Sequence, residues 1–375
     1  MGVSSQNSSS KQKKMDPTGY DASTSFIDPR ISTELYQEGR VLHNVKLEEL
    51  PNFAELKSEV EKFVDRMSWW ESYGIDTCIH VFGCVGAVAS FFFMRSESIP
   101  VFAFGVFLLG CCHSILALKG GHLATHGAVC RSRPLNRLQS FFFSDVCGTF
   151  PSDSSHTIHV KEHHAYTNII GIGDSSTWKV PIVPAYLYMF VTPFLIPVIT
   201  PFVAIITVWG QWFSLLRFLV LASLGLLINF MLFMKVSGFG FPGAVLMTLL
   251  CRGVLSVPYI HVNIFQHIGL PMFTREKLPK KLYQMSTGVL NLSRNAVLDY
   301  CFGHSIISCH IEHHLFPRLS DQQCLAVKTL VRRFLKENGM AYNEATYTDR
   351  LMVFLRRYKQ LMVNAPPISH FVGIQ

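Results

Sequence analysis

The sequence predicts an all-α integral membrane protein, with four transmembrane helices beneath a helical cap that holds metal. Three observations predict it. Of 375 residues, 49% are hydrophobic and only 15% charged, with a mean hydropathy of +0.28, whereas average soluble domains carry about a quarter charged residues. Several apolar runs reach the roughly 20 residues that a helix needs to cross the hydrocarbon layer. Histidine is clustered as well: the chain has 16, and three short stretches gather eight of them.

In chain order, residues 1–50 are polar and without periodicity, which predicts a disordered N-terminus. No apolar core follows Lys11-Gln-Lys-Lys14 closely enough for a cleavable signal peptide. Gln6 also stands where a myristoylation start wants Ser or Thr. Across 51–73 the apolar residues Phe53, Leu56, Val60, Phe63, Val64 and Met67 recur at three- and four-residue steps. That period predicts an amphipathic interfacial helix, with Trp69, Trp70 and Tyr73 as an aromatic belt.

The domain proper is expected over 74–335. Apolar runs at 74–93 and 99–118 form a hairpin, separated only by Met94-Arg-Ser-Glu-Ser98. A polar, His-rich stretch (119–183) follows, in which Leu135 to Phe150 reads as a helix lying in the interface. Further apolar runs cover 185–208, 213–234 and 241–265. A cytosolic C-terminal tail is expected over 336–375.

Parity limits which runs cross. If the histidine clusters share one site, an even number of spans must separate the second from the third, yet three runs intervene. The run 241–265 is the one expected not to cross, because Arg252 is costly at mid-span and Pro242 and Pro258 interrupt helical hydrogen bonding. Excluding 185–208 instead, on account of Pro193, Pro197 and Pro201, gives the same sidedness. Nearly all Lys and Arg then fall on the histidine face, against Arg95 in the first hairpin tip, so that face is cytosolic. The same scatter of basic residues between apolar segments explains the net charge of +8 and speaks against nucleic-acid binding. The ten Cys include no C-x2-C pair and read as small hydrophobes or reduced thiols.

His310-Ile-Glu-His313-His314 puts three imidazoles on one helical turn, His159-Val-Lys-Glu-His163-His164 repeats the pattern, and His122 and His126 form an i, i+4 pair. Neutral imidazole suits iron, copper, zinc and nickel. Eight ligands are too many for one ion and fit two. Two irons in an all-nitrogen shell can activate O2 and remove hydrogen from unactivated C–H bonds, chemistry that side chains alone do not supply.

These clusters resemble the three histidine boxes of the membrane-bound fatty acid desaturases and hydroxylases. The family pattern is two His separated by three or four residues, then His-x2-3-His-His, then His or Gln followed by x2-His-His. It is met by His122/His126, by His159/His163/His164 and by His310/His313/His314, with Thr167-Asn168 after the second box and Leu315-Phe-Pro317 after the third. The resemblance, over about residues 70–335, implies a four-span protein with a cytosolic cap, a di-iron site and a buried channel for an acyl chain. It adds His267 as a ninth ligand and Asn263 as a residue reaching the metal through water, because Asn263-x3-His267 has the spacing of a similar motif in stearoyl-type members. Off these positions lie His113, His156, His261 and His304, expected to be supporting groups, with Asp145, Asp174 and Asp299 as hydrogen-bond partners for the ligands.

The resemblance implies that the protein inserts a cis double bond into an acyl chain, an acyl-CoA or a complex lipid, using O2. An acyl or sphingolipid hydroxylase on the same site, or a zinc-dependent membrane hydrolase with one metal, are the alternatives. Members that act near the carboxyl end carry Gln at the first position of box three and a fused cytochrome b5 domain. Here that position is His310, and the N-terminal stretch has no His-Pro-Gly-Gly haem motif. Electrons are therefore expected from a separate cytochrome b5 and its reductase in the endoplasmic reticulum, docking on Lys277, Lys280, Lys281, Arg332, Arg333 and Lys336.

Overall fold

The computed structural model describes residues 41–42, 45–46, 50–169, 172, 183–273 and 278–361. Among them four helices are long and apolar enough to cross a bilayer: Trp70–Phe93, Ile99–Thr125, Trp212–Lys235 and Phe241–Phe265. The first pair turns over Met94 to Ser98, with the Met94 and Arg95 amides bonded back to the Ser90 and Phe92 carbonyls. Pro100 then sits in the first turn of the next helix, where no amide donor is needed. Ser237 Oγ, in the tip of the second pair, donates to the Phe91 carbonyl at 2.8 Å and ties the two tips together.

The third apolar run is not the expected span. Residues 185–208 divide into Ala185–Phe190, a 3-10 turn over Thr192–Leu195 and Ile196–Thr207. Three prolines remove amide donors in quick succession, and a 12-residue helix is only about 18 Å long. By contrast Phe241–Phe265 continues for 25 residues. Its break at Val254–Leu255 lies one turn before Pro258, which cannot donate to the Val254 carbonyl. Pro242 falls harmlessly in the first turn, and Arg252 turns inward, donating to Thr149 Oγ1 and the Cys147 carbonyl. The expectation for these two runs is therefore reversed, while the number of candidate spans stays at four.

Two further corrections concern the cap. The amphipathic helix forms as Phe53–Val64, capped by Asn52. Its stripe of Leu56 and Val60 does not lie in the membrane interface but packs with Val327, Val331 and Leu335 of the helix Asp321–Glu337. The expected tail is folded through Leu361. Strand Asn343–Ala345 pairs in parallel with Leu290–Leu292, and Asn343 donates to the carbonyls of Ser286, Thr287 and Val289 at 3.0 to 3.1 Å. The last described helix, Tyr347–Leu361, buries Phe354, Tyr358 and Leu361 against Tyr188, Val262 and Phe265. Most of 1–50, and 362–375, lie outside the described residues.

Candidate metal centre

All nine histidines expected as ligands converge, and they divide in two. His122, His126, His159, His164 and His313 form one group; His163, His267, His310 and His314 form the other, with ligand nitrogens in each within 4.8 Å of one another. The division follows from helical geometry. Adjacent residues on a helix point about 100° apart, so each His-His pair serves both groups: His163 and His164 separate, and so do His313 and His314. The second stretch is also wound as a π-helix, His156–His163. Its five-residue turn, closed by the His164 amide on the His159 carbonyl at 3.0 Å, brings His159 and His164 to the same group. The groups adjoin, with the His164 and His314 rings stacked at a centroid distance of 4.2 Å.

The donor set fits metal ions. Within the groups, Nε2 of His159 and His164 are 3.3 Å apart, His267 and His310 2.9 Å, and His310 and His314 3.2 Å. An ion about 2.1 Å from each nitrogen would keep neighbouring ligands about 3 Å apart at right angles. His122 Nε2 and both ring nitrogens of His126 and His313 are buried without a hydrogen-bond partner. Such orphaned groups are costly unless something binds them. Burial holds the His267 imidazole down to about 4 and those of His126, His163, His164, His310, His313 and His314 well below their ordinary range. Each is therefore the neutral form that a metal requires.

Backbone and hydroxyl acceptors fix several rings. His310 Nδ1 faces the Ser305 carbonyl at 2.9 Å and His267 Nδ1 the Gly288 carbonyl at 3.3 Å. Thr167 Oγ1 donates to the His163 carbonyl at 2.6 Å and is left to accept from His314 Nδ1 at 3.1 Å. Each contact leaves Nε2 as the free lone pair. Asn168, in a left-handed conformation (φ 57°), donates to the carbonyls of Gly288 and Pro271 and so holds the loop behind His267.

The two described carboxylates among those anticipated as ligand partners lie elsewhere. Asp145 accepts from the Ser152 amide, Asp299 pairs with His304 at 3.2 Å, and Asp174 falls outside the described residues. Asp321 is the carboxylate that reaches the site. It accepts from the amides of His304 and Ser305 and from Ser305 Oγ, and Ser305 Oγ lies 3.4 Å from His122 Nδ1. Fully buried Lys119 binds Asp321 at 2.5 Å and Asp76 at 3.1 Å. The cues were present: a lysine in an otherwise apolar span, and Ser320-Asp321 at a helix start, where Ser320 and Gln323 form a capping box. Glu312 faces away from both groups, accepting from Tyr342 Oη and Asn291 Nδ2, and burial pushes its carboxyl up to about 7.

A cavity of about 170 Å³ runs from His122, His163, His267 and His310 down between the spans. Leu118, Ile158, Leu255 and Ile306 also line it, and Asn263 borders it, its amide donating to the Tyr259 carbonyl at 2.9 Å. Of the histidines expected as supports, His156 contacts the Thr125 carbonyl and His261 the Met189 carbonyl and Tyr347. His113 lies on the cavity wall.

A profile of the fatty acid desaturase family matches residues 97–346. Fatty acid desaturase 6 of Bos taurus is 49% identical over 323 residues, covering 86% of this chain and 94% of that protein. The Homo sapiens protein of the same name is 49% identical over 322 residues, covering 85% and 90%. Fatty acid desaturase 3 of Bos taurus is 25% identical over 122 residues, covering 32% and 27%.

Proposed function

The chain belongs to the fatty acid desaturase family, and on that premise we propose that it inserts a cis double bond into an acyl chain at a site of two iron ions held by nine histidines. The observation that carries this reading is the division of those histidines into groups of five and four at the head of a largely apolar cavity. A single-ion zinc hydrolase would use about three protein ligands and an open position, and two adjoining groups exceed that need.

When bound, two irons supply O2 activation strong enough to remove hydrogen from adjacent methylenes. The chain's own residues do the rest. The neutral imidazoles hold the ions, with His310, His267 and His314 oriented by Ser305, Gly288 and Thr167. Leu118, Ile158, Leu255 and Ile306 keep water from the acyl chain and set which carbons lie beside the metals, a matter of proximity and orientation. Asn263 borders the same cavity, where a bound water could link it to an ion.

The tip side of the spans carries Arg95 and Lys235, and the cap most other cations, which supports a cytosolic cap in the endoplasmic reticulum membrane. A separate cytochrome b5, with its reductase, is the proposed electron source. For its docking face Lys280, Lys281 and Lys336 are favoured, since Arg332 and Arg333 are engaged with Glu344 and with Glu59 and Glu337. Lys277 lies outside the described residues.

The test is expression in a desaturase-deficient yeast, with lipid mass spectrometry and elemental analysis of the purified protein. A new double bond and close to two irons per chain are expected. A new hydroxyl would make the protein a hydroxylase, and one retained zinc would make it a hydrolase.

A further inference from the structure

His267 is the one member of the two groups that no helix places directly. The other eight lie within a helix or are the residue that ends one. His267 stands one residue past Gln266, which ends the helical stretch Ser256–Phe265. There its amide reaches the Ile264 carbonyl only at 3.4 Å. The chain then turns away through Gly269, in a left-handed conformation (φ 77°). Helical geometry fixes the direction of eight rings, and the direction of the ninth depends on how this helix end is held.

The C-terminal segment holds it. A helix end leaves its last carbonyls without amide partners and carries partial negative charge. Arg350 lies against this one: its Nε donates to the Phe265 carbonyl at 2.9 Å and its Nη2 to the Ile268 carbonyl. Those two carbonyls bracket Gln266 and His267. A planar, rigid guanidinium therefore sets the spacing across the turn that carries the ligand. Arg350 is itself placed by the first turn of Tyr347–Leu361, where Thr346 Oγ1 accepts from the Asp349 amide at 3.1 Å. Tyr347 docks that turn, its ring meeting Phe265 edge-on at 5.3 Å. Earlier in the same segment, Asn343 binds the carbonyls of Ser286, Thr287 and Val289. These surround Gly288, whose carbonyl faces His267 Nδ1.

We propose that Arg350 is a positioning residue for the four-histidine group, holding His267 in place by spanning the Phe265 and Ile268 carbonyls. Since His267 belongs to that group alone, the segment 343–361, without a histidine of its own, supports one metal site and not the other. The inference rests on the two groups being metal sites and is independent of the reaction they run.

The test is anaerobic titration with ferrous iron of the full-length protein in detergent, after a chelator has stripped it. Wild type should take up two ions. Arg350→Met should bind one of them about ten- to a hundredfold more weakly, the usual effect of losing support behind a ligand, and the other equally well. Arg350→Lys, the safer variant for folding, keeps a cation at the helix end without the fixed span between carbonyls, and should recover part of the loss. In His313→Ala, where the ion of the four remains, adding Arg350→Met should weaken that ion. In His163→Ala, where the ion of the five remains, it should change nothing. Thermal unfolding of the metal-free proteins separates positioning from simple support of the fold: a lower unfolding temperature with both affinities intact would overturn the proposal. Equal weakening of both ions in either folded variant would overturn it too. If wild type binds a single ion, the two-iron reading fails. Weaker binding of that ion in Arg350→Lys would still support the positioning role, and unchanged binding would end it.

Discussion

The two histidine groups use similar ligands but are built differently. In the group of four, three rings are held from behind: His267 by Gly288, His310 by Ser305 and His314 by Thr167. In the group of five, His126 and His313 have no partner on either nitrogen, and His164 none on Nδ1. Three rings of the first are braced by hydrogen bonds to the protein, whereas two of the second have none; with an ion in each group, as proposed, the second would depend on its ion for more of its order. Hydrogen bonds behind a ligand typically change metal affinity by about ten- to a hundredfold, so the two ions should not be equivalent.

The largest expected effect comes from removing ligands. His163→Ala and His313→Ala should each cut turnover by more than about a hundredfold, and elemental analysis should find close to one iron left in each. If either variant loses both irons, the groups are a single unit and the comparison fails. Lys119→Met should come next. It strands Asp76 and Asp321 without their buried cation, at a cost of about 3–5 kcal/mol. An unchanged thermal unfolding temperature in detergent would show that this ion triad does not support the cap.

Thr167→Val sharpens the contrast further, because it removes the acceptor for His314 Nδ1 and, besides that, only the donation to the His163 carbonyl. Metal titration should show one ion weakened about ten- to a hundredfold and the other unaffected. Chelation of the wild type should likewise be biphasic, the five-histidine ion leaving first; single-phase loss of both irons counts against unequal preorganisation. The smallest effect is expected at His261, a buried histidine outside both groups. His261→Phe loses contacts to Met189 and Tyr347 and should cost about 1–3 kcal/mol, with metal content intact. Loss of iron in that variant would place His261 in the support of the metal site.

Eight members of the two groups were legible from the residues alone, because spacing along a helix is enough to put imidazoles on a common side, and the ninth, His267, came from the resemblance. Four candidate spans were legible too, since hydropathy and parity are one-dimensional properties. Which apolar run forms a long helix was not. Three prolines and a mid-span arginine pull the decision in opposite directions, and it rests on what surrounds each. The Cys147 carbonyl and Thr149 hydroxyl make Arg252 tolerable inside Phe241–Phe265, while the prolines of 185–208 leave that run in short pieces.

What the sequence by itself determined is the chemistry available: neutral imidazoles at ligand spacing, apolar runs near 20 residues, and cations gathered on one side. Only the tertiary structure decided how that chemistry is partitioned. His163 and His164 are neighbours in the chain yet face different groups, and Asp321, the carboxylate that steadies Ser305, is itself held by Lys119, 202 residues away from it. Local spacing specifies direction around one helix axis. Which nitrogens meet, and what stands behind them, depends on how separate helices pack, and that is set by contacts between residues far apart in the chain.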